Sequence, residues 1–153
     1  MRTQLTILFL LISILFPQFD WIDGGAPIRQ GEHIEWMRTG DIGNVGEVIL
    51  GWSDTRQSFR DIYLQKYNID GQPLWQENGL VAAKVYGSRQ EDPITITDGN
   101  GGVFLIWADY REESDVEGDI YGQHILSDGS LVWPVEGQSI AVKHGGQKSL
   151  NMC

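Results

Sequence analysis

Trp107-Ala108-Asp109-Tyr110-Arg111, then Asp119-Ile120-Tyr121-Gly122-Gln123, Asp128-Gly129, Trp133 and Gly137, is a pattern the chain has already used once. The earlier copy runs Trp52-Ser53-Asp54-Thr55-Arg56, Asp61-Ile62-Tyr63-Leu64-Gln65, Asp70-Gly71, Trp75 and Gly79. Trp107 follows Trp52 by 55 residues (107 − 52), and Trp133 follows Trp75 by 58 (133 − 75). Three extra residues therefore fall between Arg111 and Asp119. A period of about 50 to 60 residues made of strand-like segments predicts a propeller or a related stacked-sheet array.

The strand signals inside one period support an all-β class. Val48-Ile49-Leu50-Gly51-Trp52 and Val103-Phe104-Leu105-Ile106-Trp107 are short apolar runs, as strands covered on both faces require. Ile62 to Tyr67 and Ile120 to Ile125 mix apolar and polar residues, as half-exposed strands do. Asp70-Gly71 and Asp128-Gly129 supply hairpin turns, because glycine readily takes positive φ. Strands ending at Trp75 and Trp133 are expected next, and Ile94 to Thr97, with a counterpart near Ile34 to Arg38, brings the count to four antiparallel strands per period. That is the composition of a propeller blade.

Working outward gives the organisation. Trp21 precedes Gly25 by the four residues that separate Trp75 from Gly79, so residues 20–31 read as a detached closing strand. Blade one is expected over 32–86, blade two over 87–144, and the truncated start of a third over 145–153. Two blades without the rest of a ring leave open edges and uncovered apolar faces, which favour association. Ahead of this, Arg2 and the apolar run Leu5 to Phe16 read as an export signal over 1–19. The run is too short to span a bilayer, which takes ~20 residues. Secretion or display at the cell surface is the expected address.

Charge narrows the partners. Eleven Lys and Arg against 21 Asp and Glu leave a net charge of −10. Nucleic acid demands a basic footprint, which this composition excludes. The single cysteine, Cys153, permits no internal disulfide.

The residues that recur are the candidate site: Trp52, Asp54, Arg56, Asp61, Tyr63 and Trp75, then Trp107, Asp109, Arg111, Asp119, Tyr121 and Trp133. A carboxylate two residues before an arginine, just past a buried strand, can cap turn N–H groups or pair with the guanidinium fork. Trp and Tyr add flat apolar area to a neighbouring sheet. An active site is needed once and a staple in every blade, so recurrence favours staples over a ligand surface. The acidic insertion from Glu112 to Asp119 carries oxygen ligands of the kind Ca²⁺ takes, without the spacing of an EF-hand, and reads as a solvated loop. His33, His124 and His144 match no zinc or triad spacing. No catalytic residue, metal or cofactor is expected.

These motifs resemble a family of tandem repeats in large bacterial secreted and cell-surface proteins, with the pattern W-x-D-x-R, D-[IV]-Y-x-Q, DG, W and G. The resemblance covers about Trp21 to Thr97 and Gly102 to Val142. It implies a β-propeller with a structural or binding role toward a protein or glycan. The alternative is the N-terminal part of a secreted propeller enzyme such as a glycan hydrolase. A carboxylate or histidine pair present in one copy alone would favour the enzyme.

Overall fold

The computed structural model describes residues 35–57, 59–112 and 118–142. The expected signal (1–19), detached strand (20–31) and third-blade start (145–153) lie outside these residues, as do His33, His144 and Cys153. Eight strands form two four-stranded antiparallel sheets, and no helix occurs among the described residues. The first sheet holds β1 (Glu35–Ile42), β2 (Val48–Gln57), β3 (Phe59–Tyr67) and β4 (Leu80–Ala83) in chain order. The second holds β5 (Gln90–Thr97), β6 (Val103–Asp109), β7 (Asp119–Ile125) and β8 (Gln138–Ala141), again in chain order.

Pairing positions agree between the sheets. Trp52 lies opposite Tyr63 and Asp54 opposite Asp61, while Trp107 lies opposite Tyr121 and Asp109 opposite Asp119. The Asp-Gly turns form as expected, with Gly71 at φ 73° and Gly129 at φ 88°. Their N–H groups donate to Asn68 O and Leu126 O, at 3.0 and 2.9 Å.

The fourth strands are a correction. The segments ending at Trp75 and Trp133 form no ladder with the sheets and pair with them through single bridges, Tyr67 to Pro73 and Ile125 to Leu131. The ladders that complete each sheet come later, from Leu80–Ala83 and Gln138–Ala141, after Gly79 and Gly137. Trp75 turns toward the other sheet, where its indole donates to Ser127 O at 3.2 Å. The first strands also run longer than expected: β1 reaches Ile42 and β5 begins at Gln90.

The sheets pack through one face of each. Alternation along β2 and β3 sends Ile49, Ile62 and Leu64 to the near side of the first sheet, with Ala82 of β4 beside them. They meet Val103, Leu105, Trp107 and Ile125 of the second sheet, and all eight are buried. Each large aliphatic removed from water stabilises the pair by ~1.5–3 kcal/mol. Where β1 meets β5 the contact turns polar. Thr39 Oγ1 accepts the Thr95 N–H at 3.2 Å, and Asp41 Oδ2 accepts the Thr97 N–H at 2.6 Å.

Candidate functional site

The recurring residues form one compact constellation in each sheet. In the second sheet, the Trp107 indole donates to Asp109 Oδ2 at 2.9 Å. Asp109 Oδ1 accepts the Arg111 backbone N–H at 3.0 Å and its Nε at 2.9 Å, and Oδ2 accepts Arg111 Nη2 at 2.8 Å. The guanidinium lies 3.6 Å over the Tyr121 ring and donates to Glu136 O at 2.5 Å. Trp107 and Tyr121 stack 6.4 Å apart across the strand pair. The first sheet repeats this with Trp52, Asp54, Arg56 and Tyr63. The Trp52 indole reaches Asp54 at 3.0 Å, Arg56 sits 3.7 Å over Tyr63, and its Nη1 donates to Asn78 O at 2.6 Å.

Neither carboxylate is open to solvent: Asp54 is 0 % exposed and Asp109 1 %. Burial by itself raises Asp54, but the hydrogen bonds from Arg56 and from the Trp52 indole outweigh it and hold the group below its ordinary 3.8. Burial likewise works against the charge on Arg111, and its bonds to Asp109 raise it above its ordinary value. A glycine closes each constellation. Gly137 (φ 79°) sits so close under the indole that a Cβ there would lie 2.3 Å from Trp107 Cη2, and at Gly79 (φ 96°) one would lie 2.7 Å from Trp52 Cη2. Positive φ and the lack of a side chain are both required at these positions.

Asp61 and Asp119 face the stapled carboxylates across the strands. Burial pushes Asp61 up from 3.8 to about 6, with Lys84 and Arg56 opposing and the Asp54 charge adding to the rise. Because its folded value lies above the unfolded one, the unfolded chain releases this proton first. Stability from Asp61 is therefore full below pH 3.8 and is lost as pH rises through about 6. Asp54 has the opposite sign: its contribution is present above 3.8 and lost as pH falls below it. Of these two groups, Asp54 favours the folded state above 3.8 and Asp61 favours it below about 6. Asp61→Asn should stabilise the chain by ~1–3 kcal/mol at pH 7.5 and have little effect at pH 4. Urea melts at both pH values check this, and an equal gain at both would contradict the assignment.

Three residues outside the candidate site also carry the architecture, and two of them close the recurring D-I-Y-x-Q motif. Gln65 and Gln123 each bridge their strand to the segment behind the hairpin. Gln65 accepts the Trp75 N–H at 3.0 Å and donates to Gln76 O at 2.6 Å. Gln123 accepts the Trp133 N–H at 2.9 Å and donates to Trp133 O and Pro134 O. Their recurrence two residues after Tyr63 and Tyr121 was the available signal. Lys66 is the third. Its ammonium is buried between the sheets, donating to Gly101 O and Ser127 O, both at 3.0 Å, and pairing with Glu47 at 2.8 Å. The Lys66 hydrogen bond lowers Glu47 below its ordinary value.

The position of Lys66 is taken by His124 in the second sheet. Its Nε2 meets Asp98 Oδ2 at 3.0 Å, and its ring stacks 4.2 Å from Phe104. Burial opposes ionisation of Asp98, but His124 and the N–H groups of Asn100 and Gly102 lower it below its ordinary value. Most of the acidic insertion, residues 113–117, lies outside the described residues. Among the described residues, no three His, Cys, Asp or Glu side chains converge as a metal would need, and no helix is long and apolar enough to cross a membrane. Comparison with family models, curated proteins and solved structures finds no match to this chain.

Proposed function

We propose that the chain is part of a propeller-like stack of blades in a secreted or cell-surface protein, with a structural or protein- or glycan-binding role and no catalysis. One observation supports this above the others. The Trp-Asp-Arg-Tyr constellation is made twice, and both times its hydrogen-bonding capacity is directed inward. Asp54 and Asp109 are buried, and their arginines bond to them and to the backbone of Asn78 or Glu136. Groups committed in this way hold a sheet together and leave little for a substrate. The tandem-repeat resemblance points to the same role.

A second reading, the N-terminal part of a propeller glycan hydrolase, draws on the His124–Asp98 pair. The first sheet has Lys66 and Gly43 at the matching positions, so this pair occurs in one sheet only. The two readings separate in one experiment on the full chain, with glycan-array binding run beside hydrolysis assays on the same glycans. Binding without turnover is expected. Turnover abolished by His124→Gln would overturn the non-catalytic reading in favour of the hydrolase.

A further inference from the structure

Five asparagines occur in the chain, and two of them, Asn78 and Asn100, are followed by glycine. Before glycine the side-chain amide is open to attack by the next backbone nitrogen, because no Cβ stands in the way. The attack is intramolecular and its partners are neighbours in the chain, so proximity supplies much of what a catalyst would. The two sites differ in the state of that nitrogen. Gly79 N–H donates to Gln76 O at 3.0 Å, in a turn closed by the Trp52 ring. The Asn78 carbonyl is fixed as well, by Arg56 Nη1 at 2.6 Å. Gly101 N–H has no acceptor among the described residues. Asn100 is exposed, and its amide is held by a long bond from Nδ2 to Asp98 O, at 3.4 Å.

The fold itself requires the glycine that makes Asn100 reactive. Gly101 takes φ 84°, and a Cβ there would lie 2.4 Å from Asn44 Nδ2. Its carbonyl accepts the buried Lys66 ammonium at 3.0 Å, so this turn is part of the contact between the sheets. The matching turn of the first sheet has Val45 before Gly46, so it carries no such pair.

We propose that Asn100 is a site of spontaneous deamidation, and that isoaspartate formed there loosens the Lys66 contact between the sheets. The Gly101 nitrogen gives its proton to solvent base and bonds to Asn100 Cγ. The Cγ–Nδ2 bond breaks, and Nδ2 takes up a proton and leaves as ammonia. Water then opens the cyclic imide. Opening at Cγ gives aspartate in a normal backbone. Opening at the main-chain carbonyl gives isoaspartate, which lengthens the backbone by one methylene immediately before Gly101. The bond from the Lys66 ammonium to Gly101 O depends on where that carbonyl sits, so the longer backbone weakens it. Aspartate adds only a charge at an exposed position. None of this depends on the propeller reading.

The test ages the full chain at mildly alkaline pH, folded and in urea, and maps it by tryptic mass spectrometry. Asn100 lies in the peptide 90–111 and Asn78 in the peptide 67–84. In the folded chain the mass gain of deamidation should appear several-fold faster at Asn100 than at Asn78, and in urea the two rates should converge. Aged chain enriched in isoaspartate should unfold at a lower urea midpoint than fresh chain. Asn100→Gln, whose longer side chain cyclises far more slowly, should keep its midpoint through the same ageing. Asn100→Asp should lie close to the native midpoint. Equal rates at the two sites in the folded chain overturn the proposal, as does an Asn100 that converts in urea and stays unmodified when folded. So does isoaspartate-bearing chain with the midpoint of fresh protein, or a loss as large in aged Asn100→Gln. A loss in Asn100→Asp equal to that of the aged chain assigns the effect to charge and overturns the backbone account.

Discussion

Asp109→Ala is expected to cost at least ~4 kcal/mol, enough to bring a domain of ordinary stability close to unfolding. The carboxylate is the shared acceptor for the Trp107 indole, the Arg111 backbone N–H and the Arg111 guanidinium. Removing it leaves a half-buried cation without its counter-charge, at ~3–5 kcal/mol, and two further donors to be re-satisfied. Asp109→Asn keeps an acceptor oxygen for the indole and should lose less. Equilibrium urea unfolding followed by circular dichroism gives both values. A loss below about 1 kcal/mol for the alanine variant would mean that the constellation does not hold the sheet.

Lys66→Met should destabilise by ~3 kcal/mol. The methionine keeps most of the apolar stem beside Trp75, so the loss falls on the ammonium. Gly101 O and Ser127 O lose a charged donor, and Glu47 loses its counter-ion. Because those carbonyls lie in turns at the end of the second sheet and Lys66 in the first, the loss should fall on docking of the sheets. In a Glu47→Gln background the same substitution should cost measurably less, since part of its effect in the native chain is an uncompensated carboxylate. Equal costs in both backgrounds would show that Glu47 takes no part.

How much of this was legible in the sequence depends on whether the cause was local. Trp52 and Trp107 mark their strands because an apolar run ends on each. The Asp-Gly pairs mark the hairpins because positive φ is a property of the glycine itself. The constellation was readable from spacing, since Asp54 and Arg56 are two residues apart. The fourth strands were not readable. Leu80–Ala83 has no alternation to announce it, and Gln138–Ala141 is mostly polar or small. What pairs them with β3 and β7 is the turn at Gly79 and Gly137, whose position under a tryptophan ring is a tertiary fact. Lys66 was opaque for the same reason. Nothing beside it in the sequence indicates that the carbonyls of Gly101 and Ser127 lie within reach.

The strand order has a kinetic consequence. Among the described residues, every ladder in either sheet joins neighbours in the chain, β1 to β2 to β3 to β4 and β5 to β6 to β7 to β8. Loop closures within a sheet are short, and folding rates rise as contacts become more local. The long-range part of the problem is confined to bringing two finished meanders together. This topology favours zippering of each sheet ahead of a slower docking step, which stopped-flow refolding would read as two phases. The reverse of that docking is the cheapest large-scale opening available to the native chain.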